Sequence, residues 1–422
     1  MALILILISL SLCYFSPGEV FPSLAPYHIQ QVLILSAVAV SLPSFIMRGG
    51  KLPKPHYILM LGLWVAVVLS LLSHLIIRGS FEAFLDFGVI AIIYFLVLLN
   101  AFTPSRIRII CLTIVLCAAI MSVQGILAYH TGYLGDQLLH ISEEGDTVTK
   151  RVRAFGILND ANDFAQFLLV ALSMLGMLWK RKHYLANFAI MTPLAGLFVY
   201  TIFLTGSRGA MFGLAVIVFV LALSRVGKVQ AAILAAAMFA LMIFGHFGAG
   251  RDISVSEGSA AGRVMAWGAG ISFLRTSPLF GIGFEQFTEV NELTAHNSFV
   301  LAFAELGFFG YFFWLALVVT SILGLQRLSK LTLKTPSDIE LRRCVTTLRT
   351  AFYCFMATSW FLSRTYNLTL YLLLALSAGL IQYERNLNPD AGVPTKRWVA
   401  VTVASQLASI ILIYATVRVR SL

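Results

Sequence analysis

The length, composition and charge of the chain exclude a soluble globular enzyme. Of its 422 residues 59% are hydrophobic and only 12% are charged, and the formal net charge is +11. Apolar runs long enough to cross a bilayer as helices occupy most of the chain. They are continuously apolar rather than alternating at every second residue, which also excludes barrel strands. The predicted fold class is therefore all-α, a polytopic membrane protein.

Taken in chain order, the apolar runs predict 12 to 13 membrane-spanning helices within one integral membrane domain, residues 1–422. The first run resembles the core of a signal peptide, but it lacks a basic leader and a small-x-small cleavage site, so we expect a retained first helix. The predicted spans lie near residues 2–15, 29–47, 56–77, 82–101, 106–129, 160–179, 184–204, 209–224, 229–247, 296–324, 346–363, 366–383 and 398–417.

The basic residues predict the orientation of these spans. With the N-terminus in the cytoplasm, 19 of the 30 basic residues fall on the cytoplasmic side and 11 on the outer side, as the positive-inside rule requires. A basic cytoplasmic loop is predicted at 325–345, and two long outer loops at 131–159 and 248–295. The positive charge therefore indicates topology and attraction to anionic lipid, so no nucleic-acid partner is needed to explain it.

The sequence gives no sign of a metal site or of a cofactor. Its five cysteines form no C-x-x-C pair, and no phosphate-binding loop, G-x-S-x-G or H-E-x-x-H motif is present. The nearest pair of carboxylates, Glu144 and Asp146, lies in an acidic loop that is typical of solvated surface. We therefore expect a metal-independent site without a cofactor.

The basic residues of the predicted outer face are nearly all arginine. A guanidinium group binds phosphate in a fixed, often bidentate geometry, which favours a phosphorylated ligand on this side. The alternative for any one of them is an arginine that extends from a helix end to lipid headgroups. They are Arg78, Arg151, Arg153, Arg208, Arg251, Arg263, Arg275, Arg364, Arg418 and Arg420, with Lys150 as the single lysine.

Three of these arginines stand in suggestive local patterns. Arg151 and Arg153 precede a glycine turn and a helix start, where either Asn159 or Asp160 can cap the helix. Arg208 stands in a loop of only a few residues between two spans, which would hold it at the membrane interface. It is followed by a G-x-x-x-G pattern, which predicts close approach by another helix.

Arg263 flanks a predicted amphipathic helix. Val264, Trp267, Ile271 and Leu274 recur at three- and four-residue spacing, as expected for a helix that lies on the membrane or caps a cavity. Ser277-Pro278 should end that helix, and Gly281 and Gly283 allow the chain to turn back.

A histidine and an asparagine stand where the next span begins. His296 is either an interfacial or capping residue or a group that accepts a proton from a hydroxyl. Asn297 is expected to cap or orient the turn. Glu305 lies about 13 Å further along the helix. An intramembrane carboxylate is functional or paired, but this one is too distant to orient His296 directly.

Four segments in this order resemble the bacterial O-antigen ligase and polymerase superfamily. They are RVRAFGILNDANDFAQFL, LTGSRGAMFGLAV, GRVMAWGAGISFLRTSPLFGIGFEQF and TAHNSFVLAFAELGFFGYFFW, within about residues 150–315. The resemblance implies a metal-independent, C-type glycosyltransferase architecture in the bacterial inner membrane, active on the periplasmic face. The donor would be a glycan linked through diphosphate to undecaprenol, and the acceptor either lipid A core or another lipid-linked glycan.

The resemblance also carries residue roles. The family's arginines match Arg208 and Arg263 and its histidine matches His296, which gives three catalytic candidates, while Arg151, Arg153 and Asn297 are candidate substrate-binding residues. The short outer loop 248–295 and a thirteenth span, which would leave the C-terminus outside, depart from the pattern of typical ligases. The alternatives are a multi-helix transporter or lipid-linked glycan flippase, for which no repeated halves are found, and a structural subunit of an envelope complex. The sequence leaves the oligomeric state open.

Overall fold

The computed structural model describes residues 1–422 except 48, 145–146, 181, 224, 245–256, 292, 332–335, 389–394 and 421–422. The described residues are 81% helical with almost no strands, which confirms the predicted all-α class. The helices are α1 (Ala2–Phe15), α2 (Pro17–Val20), α3 (Ile29–Met47), α4 (His56–Leu72), α5 (Ile77–Asn100), α6 (Pro104–Thr131), α7 (Gly135–Leu138), α8 (Ala161–Met174), α9 (Tyr184–Leu204), α10 (Arg208–Leu223), α11 (Lys228–Phe244), α12 (Glu257–Thr276), α13 (Phe287–Val290), α14 (Ser298–Leu328), α15 (Pro336–Thr358), α16 (Leu368–Leu387) and α17 (Thr395–Arg420).

Among the described residues, seven helices are long and apolar enough to cross a membrane by length and composition, and four shorter helices are also apolar. The chain is therefore a multi-pass membrane protein. Each of the thirteen predicted spans coincides with a helix, although α15 and α16 are outside the apolar set because charged side chains occupy part of their length. Several predicted features lie outside the described residues: the end of span 229–247, part of loops 248–295 and 325–345, Asp146 and Arg251.

The predicted outer loop 131–159 contains a β-hairpin that the sequence did not predict. Strands β1 (Leu139–Glu144) and β2 (Thr147–Val152) pair antiparallel, with Leu139 opposite Val152 and Glu144 opposite Thr147. The pairing satisfies backbone donors and acceptors that a long connection would otherwise leave to solvent. Threonines and valines in β2 suit a strand.

Contacts within the chain divide it into two compact units. Unit 1 comprises Met1–Gly49, Asn100–Asp252 and Thr332–Thr358, and it contains the hairpin and α10. Unit 2 comprises Gly50–Leu99, Ile253–Leu331 and Ser359–Leu422, and it contains α12 and α14.

In unit 1, α10 packs closely against α8 and α15 at Gly213. A Cβ at Gly213 would overlap the side chains of Leu169 and Thr358, and the Gly213 carbonyl accepts a hydrogen bond from the Cys354 thiol at 3.5 Å. The close helix approach predicted from the G-x-x-x-G pattern is confirmed at this second glycine.

In unit 2, α14 packs against α4, α12, α16 and α17, and it is not continuous as predicted. Gly307 has φ 61° and ψ −167°, a conformation that breaks the helix and that only glycine adopts readily. The segment 278–283, which turns at Gly281 (φ 71°) and Gly283 (φ 114°), crosses this break. Its amides donate to the carbonyls of Ala304 (2.9 Å) and Glu305 (3.1 Å), so backbone groups freed by the break are satisfied inside the protein.

Candidate functional site

His296 and Asn297 form the entrance to α14 in unit 2. Asn297 is the N-cap, and its Oδ1 accepts hydrogen bonds from the amides of Phe299 (2.9 Å) and Val300 (3.2 Å). The predicted capping role of Asn297 is therefore confirmed, and it follows from a short polar side chain placed just before an apolar run. His296 is half-buried and has a left-handed backbone conformation, φ 47°. Such a conformation costs energy for a non-glycine residue and concentrates at functional sites.

The second polar atom of Asn297 is buried as well. The residue is 0% exposed, and within the described part of the chain its Nδ2 has no hydrogen-bond acceptor. An unsatisfied buried donor is costly, typically about 1–3 kcal/mol.

Arg263 lies on α12, the predicted amphipathic helix, which ends at Thr276 immediately before Ser277-Pro278 as predicted. Arg263 is half-buried with its Nε buried, and Trp267 follows one helical turn later on the same face. The Trp267 indole donates a hydrogen bond to the carbonyl of Ala295 at 3.0 Å. This bond attaches the face of α12 that carries Arg263 and Trp267 to Ala295, the residue immediately before His296.

The apolar stripe of α12 is covered by protein. Trp267, Ile271 and Leu274 are buried, and α12 packs against α14 and α17. Of the two placements expected for this helix, on the membrane or over a cavity, its burial does not fit a stripe fully open to lipid, although Val264 is only half-buried. The same packing holds the helix that carries Arg263 in a fixed position.

A loop, residues 359–367, wraps around the first residue of α14. The Ser298 amide donates to the carbonyl of Ser359 (2.9 Å), and its hydroxyl donates to the carbonyl of Leu362 (2.6 Å). That hydroxyl also accepts from the Arg364 amide at 2.7 Å, and the Thr365 hydroxyl donates to the Ser298 carbonyl at 2.8 Å. These four hydrogen bonds to Ser298 therefore hold the loop against the first turn of α14.

Aromatic side chains join the same three segments. The Trp360 ring lies edge-on to Trp267, with ring centroids 6.3 Å apart, and tilted against Phe299, with centroids 5.2 Å apart. Loop 359–367, α12 and the start of α14 therefore share one aromatic cluster.

Glu305 is 2% exposed, and its carboxylate accepts hydrogen bonds from distant parts of unit 2, the backbone amide of Glu285 among them. Its Oε2 accepts from the Tyr366 phenol at 2.8 Å, and its Oε1 accepts from the Phe287 amide at 3.1 Å. Nearby, partial burial and the Asp86 carboxylate raise the pKa of Glu285. Of the two possibilities expected for this carboxylate, functional or paired, the structure shows a paired one. Glu305 holds together segments of unit 2 that lie further along α14 than its first residues.

Arg151 is hydrogen-bonded to the turn that precedes Arg208 in unit 1. Arg208 is exposed and is the first residue of α10, after a turn of three residues that begins at Thr205, as the short predicted loop required. The Arg151 guanidinium donates to the carbonyl of Thr205 at 2.8 Å and to the side chain of Asn162 at 2.9 Å. Arg151 therefore supports the turn from which Arg208 emerges.

Arg153 has a different environment from Arg151. Its guanidinium donates to the backbone carbonyls of Gln137 (3.1 Å) and Asp136 (3.3 Å), in the short helix α7. Of the two possible caps of α8, Asp160 is the one used, since its carboxylate accepts from the amides of Asn162 and Asp163. Arg153 contacts none of the residues around Arg208 that are described above.

The structure therefore groups the candidates within each unit. Arg151 lies beside the turn of Arg208 in unit 1, and Arg263, His296 and Asn297 lie on segments around the start of α14 in unit 2.

The sequence did not single out Arg364 or Ser298. The available signal was the polar run Ser363-Arg364-Thr365 between two apolar helices, but local pattern does not reveal which helix entrance such a loop contacts. Among the described residues, no three His, Cys, Asp or Glu side chains group to hold a metal ion.

Comparison with known proteins gives one family. Residues 193–315 match the family described as O-antigen ligase, and this match supports the O-antigen ligase and polymerase superfamily. The matched segment includes Arg208, Arg263, His296 and Asn297, whereas Arg151 and Arg153 precede it. No curated protein matches the chain.

Proposed function

We propose that this O-antigen ligase-like chain transfers a glycan from an undecaprenyl-diphosphate-linked donor to an acceptor hydroxyl. The reaction takes place on the periplasmic face of a bacterial inner membrane. The single observation that supports this most strongly is that the family match covers Arg208, Arg263, His296 and Asn297 in one stretch. The enzyme is thus a glycosyltransferase of the ligase or polymerase type.

In the proposed reaction the acceptor hydroxyl oxygen attacks the anomeric carbon of the donor sugar. A new glycosidic bond forms, the bond from that carbon to the diphosphate oxygen breaks, and undecaprenyl diphosphate leaves. A direct displacement of this kind inverts the anomeric carbon. His296 accepts the hydroxyl proton as general base, or orients the hydroxyl by a hydrogen bond. Its fixed, half-buried position before the capped start of α14 supports this role.

The arginines compensate the negative charge of the diphosphate. Arg208 and Arg263 carry this role, with help from Arg151 or Arg153, and Asn297 contributes its buried amide to substrate binding. Guanidinium groups aimed at developing charge in a site screened from water contribute several kcal/mol, in the range known for such donors. The reaction is proposed to need no metal ion.

The test is transfer by purified protein in proteoliposomes. His296→Ala should abolish glycan transfer while protein level and donor binding persist. His183→Ala is the matched control, because His183 is an exposed histidine immediately before α9. Full transfer by the His296→Ala variant would contradict the assignment of His296 as base.

The acceptor separates two forms of the proposal. A ligase transfers to lipid A core, and a polymerase joins lipid-linked repeats. Gel banding of glycans from a deletion strain distinguishes them, since loss of long chains with one repeat still attached to the acceptor indicates a polymerase. Lipid-linked glycan trapped on the inner side of the membrane would instead indicate a flippase.

A further inference from the structure

The loop that carries Arg364 is hydrogen-bonded to residues on both sides of His296 in unit 2. Thr294 Oγ1 donates to Ser363 Oγ at 2.8 Å, and the Arg364 amide donates to Ser298 Oγ at 2.7 Å. Ser363 and Arg364 are therefore held opposite Thr294 and Ser298, and His296 lies midway between those two residues. The backbone of Arg364 is thus fixed against the entrance of α14.

The burial of Arg364 differs from that of a headgroup-binding arginine. Arg364 is half-buried and its Nε is buried, whereas Arg275 and Arg418 are exposed. An arginine that binds headgroups at a helix end extends its guanidinium away from the protein surface. Arg364 instead keeps part of its guanidinium inside unit 2.

The two segments that carry Arg263 and Arg364 are therefore bonded to residues on either side of His296. Trp267, on the Arg263 face of α12, is bonded to Ala295, and Arg364 is bonded to Ser298, so residues 295–298 lie between the two segments. Trp360, in the loop of Arg364, packs against Trp267 of α12. A diphosphate carries more negative charge than one guanidinium compensates, and two of them suit its two phosphate groups.

We propose that Arg364 is a further phosphate-binding residue at the His296 entrance and that it contacts the diphosphate of the lipid-linked donor. This inference rests on the proposed function for the identity of the ligand. It adds an arginine from outside the segment 193–315 that matches the family.

The hydrogen bonds that attach the loop to α14 do not use the Arg364 side chain, so this side chain can be replaced without removing them. Arg364 is tied to Ser298 through its backbone amide, and the neighbouring bonds use Ser298, Thr365 and backbone carbonyls. Replacing the Arg364 side chain therefore leaves these bonds in place. Arg364→Gln removes the charge, and Arg364→Lys keeps the charge but loses the bidentate geometry. Arg275→Gln is the control, since Arg275 is an exposed arginine at the end of α12.

The measurement is binding of undecaprenyl diphosphate to the purified full chain in a non-ionic detergent without phospholipid. Loss of one charge-assisted contact should weaken binding roughly tenfold in Arg364→Gln, with part of the affinity recovered in Arg364→Lys and none lost in Arg275→Gln. Wild-type affinity in Arg364→Gln, or no binding by the wild-type chain, would overturn the inference.

A second arm separates the donor from lipid headgroups. Binding is repeated in phosphatidylcholine vesicles with and without phosphatidylglycerol. The inference expects the defect of Arg364→Gln in both, and a defect confined to vesicles with the anionic lipid would assign Arg364 to headgroups instead. If the diphosphate binds through Arg364 but no chain transfers glycan, the proposed function fails while the binding site stands.

Discussion

Tyr366 donates a hydrogen bond from its phenol to Glu305 Oε2 at 2.8 Å, and Glu305 is buried while Tyr366 is half-buried. The other carboxylate oxygen accepts from the amide of Phe287, the first residue of α13. One carboxylate thus joins α14, the loop before α16 and the start of α13. This relationship gives a structural explanation for an acidic side chain in an apolar helix.

The first prediction concerns Glu305. Glu305→Ala leaves the buried Phe287 amide without its acceptor, at about 1–3 kcal/mol, and also removes the bond to the half-buried Tyr366 phenol, so the unfolding temperature in detergent should fall clearly. Glu305→Gln, which retains one oxygen acceptor, should fall less. Glu289→Ala is the control because Glu289 is exposed on α13. A Glu305→Ala protein as stable as wild type would show that this carboxylate contributes nothing to unit 2.

The second prediction concerns the helix contact at Gly213. Gly213→Leu places a side chain where those of Leu169 and Thr358 already lie, so α10 must move away from α8 and α15. We expect a loss of about 1–3 kcal/mol or failure to accumulate in the membrane. Gly196→Ala in α9, with no atom within 4 Å of the added methyl group, should behave as wild type. Thermal unfolding and membrane yield measure both, and equal stability of the two variants would contradict the close packing.

The third prediction separates Arg151 from Arg153. Arg151→Ala removes the two hydrogen bonds that hold the Thr205 carbonyl and Asn162, and the turn before Arg208 loses its support. Glycan transfer should fall by roughly tenfold or more, as for a lost charge-assisted contact. Arg153→Ala loses contacts to two carbonyls of α7 and should keep most of its activity. Equal defects in the two variants would argue against a specific role for Arg151.

The fourth prediction concerns metal ions. If the arginines alone compensate the diphosphate charge, transfer in proteoliposomes should be unchanged after treatment with excess EDTA and removal of the chelate. A preparation of the Arg263→Ala variant, treated identically, shows whether the assay detects loss of charge compensation. Loss of wild-type activity with EDTA and its recovery with Mg²⁺ would replace this part of the proposal.

Much of the architecture is predictable from local pattern. Long apolar runs predict helices because a membrane-spanning segment must satisfy its own backbone, and all thirteen predicted spans coincide with helices. Asn297 was identified as a cap, Ser277-Pro278 as a helix end, and the turn before Arg208 as short. Each of these features depends on neighbouring residues only, so a sequence read in chain order contains the necessary information.

Tertiary structure decided what depends on residues distant in the chain. Two partners of Glu305 lie 18 and 61 residues away, and Arg364 reaches Ser298 across 66 residues. The break at Gly307 is tolerated because the segment 278–283 supplies amides to the carbonyls next to it. Three of the four stripe residues of α12 are buried inside the protein, where Trp267 contacts Ala295 and Trp360. Periodicity establishes that a face is apolar, whereas only packing determines which surface covers it.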